Sequence, residues 1–409
     1  MYVKCRFCAT PLDQVFLDLG CAPPSNAFLS AEALGSPEVF YPLKLFVCTN
    51  CYLVQIDEVQ SHNAMFTPDY AYFSSYSRTW LEHAQRYVER AIARLDLRSD
   101  SFVLEIASND GYLLQYVAAR GISCLGIEPT AGTAQVAQAK GIETLVRFFG
   151  REFALELIGQ RRQADLIIAN NVLAHVPDLN DFIAGLKLAL APEGTLTVEF
   201  PHLMELVSQR QFDTVYHEHF SYFSLHTACQ AFAAHRLRVW DVERLTTHGG
   251  SLRLWAGHQE CNRADTAAIA EVLKSEANAG MCDQSYYAGF QEQANTVKND
   301  LLEFLLAQKR GGLKVAAYGA AAKGNTLLNY SGVRSDLLPY VVDASPHKQD
   351  RYLPGSRIPV VAEAALSEHR PDYVLILPWN LKEEITEQLD YIRDWGGKFV
   401  TAVPRLEIL

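Results

Sequence analysis

Two cysteine pairs constrain the N-terminal part of this chain more than any other feature. Cys5-x-x-Cys8 and Cys48-x-x-Cys51 each have the spacing of a metal knuckle, where a tight turn lets two thiolates face one ion. Two knuckles complete a tetrahedral set, which suits zinc, and four thiolates leave no open coordination position. The expected metal is therefore structural. The 39 residues between the pairs exceed common zinc-ribbon spacing and predict a small β-module folded between them, with strands over Gln14–Leu19 and Tyr41–Val47. A segment this small builds a poor core alone, and zinc stabilises it. The five other cysteines, Cys21, Cys124, Cys229, Cys261 and Cys282, are isolated and read as packing residues.

Paired thiols that hold a metal imply a reducing compartment. Met1-Tyr2-Val3-Lys4-Cys5 has no apolar stretch of a signal peptide. No run of about 18 apolar residues offers a membrane span. The expectation is a cytoplasmic protein without a membrane partner. A net charge of −11 with no long basic run argues against nucleic acid as a partner, although a local pocket can still be basic. Monomer is the default expectation.

The 409 residues suit two or three domains. Residues 75–98 read as a helix, with Trp80, Ala84, Tyr87, Val88, Ala91 and Leu95 at helical spacing. Strand-like runs at Phe102–Ile106, Cys124–Ile127, Asp165–Ala169 and Thr195–Phe200 then alternate with helices, which predicts a parallel, doubly wound sheet. Residues 262–310 are polar and Ala-rich and read as one or two connecting helices. A second, smaller α/β unit follows, with strands at Lys314–Tyr318, Tyr340–Val342, Tyr373–Leu377 and Lys398–Ala402. The expected division is an α/β chain in three parts: a zinc-binding module over 1–74, a Rossmann-like unit over 75–260, and a helical connector with a C-terminal Rossmann-like unit over 261–409.

The first long strand runs into Glu105-Ile106-Ala107-Ser108-Asn109-Asp110-Gly111 and then a helix over Tyr112–Ala119. Small residues at such a turn let the backbone approach a ligand closely. The stretch resembles the first motif of the S-adenosylmethionine (SAM) methyltransferase fold, with Ala107 and Asn109 standing where glycines are commonest. The next strand ends in Glu128, 17 residues after Gly111. An acid there can hydrogen-bond the ribose hydroxyls of a nucleoside, whether in SAM or in NAD. Phe148 and Phe149 are candidates to cover an adenine, and equally candidates for core packing. The third strand ends in Asn170-Asn171-Val172-Leu173-Ala174-His175, at the ligand crevice of such a sheet.

Tyr216-His217-Glu218-His219-Phe220-Ser221-Tyr222 puts five ionisable side chains of mixed type within seven residues. The histidines lack the i, i+4 spacing of a zinc-protease motif. General acid–base work fits better, because imidazole is best matched to proton transfer near neutral pH and Glu218 can hold a ring in one tautomer.

Taken together, the four-cysteine module, Leu19-Gly20…Pro24-Ser25-Asn26-Ala27-Phe28, the Glu105–Gly111 turn, Asn171…His175, Tyr216-x-Glu218-His219, His248-Gly249-Gly250, Tyr318-Gly319-Ala320-Ala321-Ala322-Lys323 and Asp343…Pro346-x-Lys348-Gln349 resemble the three-domain SAM-dependent C-methyltransferases of deoxysugar biosynthesis. Members of that family act on nucleotide-linked 4-keto-6-deoxy sugars. The resemblance spans essentially the whole chain. It implies His219 as the catalytic base, with Tyr216 and Glu218 as its active-site neighbours and His175 near the reacting sugar. It also implies that Tyr70 or Tyr72 reaches into the site. His217 matches no fixed family residue and is given no role. The implied cofactors are SAM and structural zinc, and the implied partner is a dTDP- or GDP-linked keto-deoxysugar.

The second strand–turn–helix, Tyr318-Gly319-Ala320 through Lys323 and Asn325, is a candidate holder of that sugar's pyrophosphate, since helix N-termini bind phosphate and Lys323 adds charge. His248, Gly249 and Gly250 are expected to support the same pocket. Three alternatives stay open on the residues alone: O- or N-methylation of a sugar, a nicotinamide oxidoreductase, and a zinc-containing binding protein without catalysis.

Overall fold

Alternation in the N-terminal strands explains why they form a sheet. Along Tyr41–Val47, Leu43, Leu45 and Val47 are buried while the residues between them are more exposed, the two-residue period of a half-buried strand. The computed structural model describes residues 3–57, 73–160 and 163–409. Tyr70 and Tyr72 lie outside the described residues. Strands Val15–Ala22, Tyr41–Val47 and Val54–Ile56 pair antiparallel. The fourth strand of this sheet is Ser221–Tyr222, which arrives from the middle of the chain, with Val54 opposite Tyr222 and Gln55 opposite Ser221.

Helix Arg78–Leu95 begins where Ser77 Oγ accepts a hydrogen bond from the Trp80 amide at 3.2 Å, satisfying one of the free amides of a helix start. It ends at Asp96, whose backbone is left-handed at φ 51°. Ala84, Tyr87, Val88 and Ala91 form its buried stripe.

The central sheet has seven strands in the order Leu237–Leu245, Ser251–His258, Leu190–Pro201, Ala164–Asn170, Phe102–Ile106, Ser123–Ile127, Thr144–Leu145. The sheet is not wholly parallel as expected, because Ser251–His258 runs antiparallel to both of its neighbours. The hairpin of Leu237–Leu245 and Ser251–His258 turns the chain back without a helical crossover. Phe102–Ile106 has a parallel partner on each side, so the turn after it opens at a topological switch point, where such sheets bind ligands.

Two connecting helices, Ala267–Ala279 and Phe290–Arg310, lead to a six-stranded sheet ordered Val360–Val361, Val341–Val342, Val315–Tyr318, Tyr373–Ile376, Lys398–Thr401, Glu407–Ile408. Val315–Tyr318 is again flanked by parallel strands on both sides. The central and C-terminal parts have apolar clusters of their own, and a further cluster runs across all the parts. It joins Phe16 and Leu45 of the N-terminal sheet, Phe212 and Phe220 of the central segment, Phe290 of the connector, and Val315 and Leu375 of the C-terminal sheet. Phe16 stacks on Phe290 with ring centroids 4.9 Å apart.

Candidate active site

The segment around His219 is fixed from several directions. The Phe220 amide donates to the Ala174 carbonyl at 2.7 Å, and the Ile56 amide donates to the Phe220 carbonyl at 3.1 Å. Thr326 Oγ1, from helix Ala322–Ser331, donates to the Val215 carbonyl at 2.8 Å. His217 points away, its Nε2 donating to the carbonyls of Tyr41 and Pro42 at 3.3 and 3.2 Å, so it ties the segment to the N-terminal sheet.

His219 is buried, and its Nδ1 lies 3.0 Å from the Thr214 carbonyl oxygen. A carbonyl only accepts, so Nδ1 carries the proton and Nε2 is the basic nitrogen. The Tyr216 ring centroid is 4.0 Å from that of His219, and the His175 centroid is 4.7 Å away, edge-on. Glu218 is buried and accepts from Asn26 Nδ2 at 2.9 and 3.1 Å, one contact to each oxygen. The loop between the two knuckles therefore reaches this cluster.

Tyr222 also meets His219 edge-on, with centroids 5.9 Å apart, and the remaining groups that act on it, His175, His248 and Lys323, are cationic or can become so. Burial and then His175 push the His219 imidazole well below its ordinary pKa, with His248 and Lys323 acting the same way and the Thr214 bond opposing. Burial lowers His175 to about 4. Burial, followed by Lys323, lowers His248 to about 4. His248 sits in the left-handed region at φ 54°, with its Nε2 3.5 Å from Asn171 Nδ2. A Cβ on Gly249 would come within 2.4 Å of the Trp379 ring, and one on Gly250 within 2.6 Å of Glu205. Both glycines are thus explained by close packing.

Lys323 comes from the start of helix Ala322–Ser331. Its Nζ donates to Asn380 Oδ1 at 2.6 Å and lies 4.5 Å from the Trp379 ring centroid. Trp379 Nε1 donates to Asp213 Oδ2 at 2.7 Å. Burial raises the Asp213 carboxyl to about 6, Lys323 opposing.

At the first switch point, Ala107, Asn109 and Gly111 all have positive φ, at 57°, 50° and 74°. The backbone follows the path glycines would take, although two of the three residues carry side chains. Asn109 Oδ1 accepts from the Ser74 amide at 2.9 Å and Asp110 Oδ2 from the Ser75 amide at 3.3 Å. These side chains hold the segment that enters helix Arg78–Leu95. Glu128 is buried and accepts from the Asn109 and Thr130 amides, each at 2.9 Å. The Thr130 hydroxyl donates to Oε1 as well, which leaves one acceptor position, on Oε2, for a ligand hydroxyl. Burial, then Glu128 and Asp110, push the Glu105 carboxyl well above the usual range. Buried polar atoms without a hydrogen-bond partner among the described residues gather here: Glu105 Oε2, Asp110 Oδ1, Asn170 Oδ1 and Asn171 Oδ1. Phe149 packs edge-on against Phe153 and Phe182, with centroids 6.4 and 5.7 Å away. Phe148 is 43 % exposed.

At the second switch point the turn is largely satisfied from within. The Ala320 amide, where a phosphate oxygen was expected, donates to Asp343 Oδ2 at 2.7 Å. Lys348 Nζ donates to the Ala320 carbonyl at 2.9 Å. Gln388 donates to Tyr318 Oη at 2.9 Å. Asn325 Nδ2 donates to the Ser25 carbonyl at 2.7 Å. Gly319 packs against Pro378, which a Cβ would approach to 2.4 Å.

In the N-terminal module, sulfur–sulfur separations are 3.6 Å for Cys5–Cys51, 3.4 Å for Cys8–Cys48 and 3.6 Å for Cys8–Cys51, and all four sulfurs lie within 4.8 Å of one another. Zinc–sulfur bonds of about 2.3 Å give a tetrahedron with edges of roughly 3.8 Å. The donor set and its spacing fit zinc.

Three family models match the chain: a zinc binding domain over residues 5–66, a methyltransferase domain over 80–242 and a C-methyltransferase C-terminal domain over 246–404. The curated C-methyltransferase NovU of Streptomyces niveus is 32 % identical over 406 residues, covering 99 % of this chain and 96 % of that protein. The chain belongs to the three-domain, zinc-containing C-methyltransferases. Solved structures similar to it include the 1,6-didemethyltoxoflavin-N1-methyltransferase of Burkholderia thailandensis, 16 % identical with a TM-score of 0.38, covering 51 % of this chain and 95 % of that one. The magnesium protoporphyrin IX methyltransferase of Synechocystis is 16 % identical with a TM-score of 0.33, covering 44 % of this chain and 80 % of that one. Scores this low carry no argument.

As a SAM-dependent C-methyltransferase, the chain uses SAM and a structural zinc. The unpartnered carboxyl and amide oxygens at the first switch point, with Glu128, fit a polar nucleoside there. Cys5, Cys8, Cys48 and Cys51 fit the zinc. Sequence reasoning gave no role to Asn26, Thr214, Asp213, Trp379 or Asn380. It also missed buried Glu199, which accepts from Arg253 at 2.6 Å and Thr247 Oγ1 at 2.9 Å and lies 3.1 Å from His83 Nε2. Thr247 precedes His248, so this network anchors the turn that carries it. The available signal was Glu199 itself, a charged residue inside the apolar run Leu196–Phe200.

Proposed function

We propose that this C-methyltransferase acts on a nucleotide-linked 4-keto-6-deoxy sugar, dTDP- or GDP-linked, and methylates C3. The observation that carries the reading is the 3.0 Å bond from His219 Nδ1 to the Thr214 carbonyl. It leaves Nε2 as a base in a buried pocket beside Tyr216 and His175. Carbon becomes nucleophilic only when a neighbouring carbonyl can accept the electrons of a broken C–H bond. His219 Nε2 takes the C3 proton, and the C–H electrons move into an enolate with charge on the C4 oxygen. Donors such as the Tyr216 hydroxyl stabilise that oxygen. SAM, when bound, supplies the methyl group as an electrophile, and the enolate carbon takes it up. Burial of His219 keeps water from the base.

The test is mass spectrometry of such a sugar in heavy water, with wild type and His219→Ala. Deuterium uptake beside the ketone without SAM, lost in His219→Ala, and a methyl gain with SAM support the reading. A methyl gain with no exchange under any condition points to oxygen or nitrogen as the acceptor and overturns it.

A further inference from the structure

Lys323 is a partly buried cation with few partners. Among the described residues its ammonium has one hydrogen bond, to Asn380, and one aromatic face, Trp379. No carboxylate among them lies within ion-pair distance, 4.0 Å, of it. An ammonium has three donors, so donors remain after Asn380 is satisfied. Its helix is bonded to the His219 segment through Thr326 and Val215. Trp379, under the ammonium, is bonded to Asp213, next to the Thr214 that orients His219. The charge, the base and His248 therefore belong to one cluster, in which Lys323 and His248 both act on the His219 imidazole.

A cation beside a general base opposes proton uptake in the resting enzyme. It assists the reaction only where it stabilises the anion formed in the same step more than it penalises the base. The enolate of the proposed reaction is such an anion. We propose that Lys323 donates to the acceptor's carbonyl oxygen and carries the negative charge that appears there as His219 removes the neighbouring proton. When the C–H bond breaks, the proton goes to His219 Nε2 and the electron pair to that oxygen, so the pocket gains one positive and one negative charge together. Asp213 and Trp379 are positioning residues for the ammonium. The inference rests on the enolate reading above and gives Lys323 a task at the reacting carbonyl instead of at the pyrophosphate.

The experiment measures SAM-independent deuterium exchange beside the ketone, at saturating substrate, together with substrate dissociation constants. Wild type and His219→Ala test the enolate reading. If wild type does not exchange, or exchange survives in His219→Ala, that reading fails and takes this inference with it. Where the reading stands, Lys323→Met is expected to slow exchange by about 100- to 1,000-fold, the effect of removing one oxyanion donor, with substrate affinity changed less than about fivefold. The reverse pattern, exchange intact at saturation and affinity lost tenfold or more, makes Lys323 a phosphate ligand and overturns the proposal. Asp213→Asn tests it without deleting the lysine. The amide still accepts from Trp379, but the counter-charge that favours the ammonium is gone, so the alkaline limb of the exchange rate should move to lower pH. An unmoved limb also overturns the proposal.

Discussion

The ring of His219 is oriented by Thr214, whose carbonyl oxygen lies 3.0 Å from Nδ1, so the basic nitrogen is selected by the backbone five residues upstream. Replacing the ring while leaving that backbone in place should remove the base and little else. His219→Ala is expected to lose about 100- to 10,000-fold in kcat, with a melting temperature within a few degrees of wild type and SAM binding retained. Steady-state kinetics and thermal denaturation check this. A variant within tenfold of wild-type kcat would remove His219 from the role of base.

The pH profile follows from the direction of the histidine shifts. A base must be neutral to accept a proton, and a lowered pKa keeps it neutral as pH falls. The pocket holds His219 well below 6.5, and His175 and His248 at about 4. The acid limb of kcat/KM should accordingly appear below pH 6.5. NMR of the ring nitrogens should find His175 and His248 uncharged at pH 6. An acid limb at or above 7 contradicts this.

Asn26→Ala should weaken the site from another part of the fold. It removes the amide that contacts both oxygens of Glu218 at 2.9 and 3.1 Å. A hydrogen bond to a charged group contributes about 1.5–3 kcal/mol. Denaturant midpoints should fall accordingly, and kcat should drop while SAM affinity holds. A variant unchanged in both stability and kcat would show that Glu218 does not depend on Asn26.

Zinc removal should inactivate the enzyme although no zinc ligand is proposed to touch the substrate. The module held by Cys5, Cys8, Cys48 and Cys51 contributes Val54–Ile56, which pairs with Ser221–Tyr222 just after His219. Titration with a strong chelator, or Cys48→Ser, should release one zinc, lower the melting temperature and reduce activity in parallel. Full activity in metal-free protein would break the link.

Ala107→Gly should stabilise the enzyme. Ala107 sits at φ 57°, where a side chain costs roughly 1–2 kcal/mol that glycine avoids. The expected gain is about 1 kcal/mol by denaturant titration, with SAM affinity equal or better. A loss of stability would mean that the Ala107 methyl contributes packing that outweighs the strain.

Features with a local cause were legible in the sequence. The cysteine spacing located the four-sulfur cluster, and strand Phe102–Ile106 has the bounds its apolar run suggested. The positive φ of Ala107 and Asn109 was hidden because neither residue is glycine, yet the turn kept its shape. The reversed strand Ser251–His258 was hidden because antiparallel and parallel strands share the same alternation and differ in what they pair with. The uses of Asn26 and Asp213 depend on contacts with Glu218 and with Trp379, each more than a hundred residues away in sequence, and Trp379 lies under Lys323 from another element of the C-terminal part. No spacing rule reaches that far. At the second switch point, the glycine-containing turn suggested an anion site, while Asp343 satisfies the Ala320 amide.

The pairing of Ser221–Tyr222 with Val54–Ile56 bears on how such enzymes can be recombined. A chimera that exchanged whole domains at the linkers would separate the segment after His219 from the strand that completes its sheet. It would also separate Asn26 from Glu218. Recombinants between relatives should retain more function when the zinc module and residues 212–223 come from the same parent than when they do not. The heritable block in this architecture is a seam between sheets, and it is discontinuous in the gene.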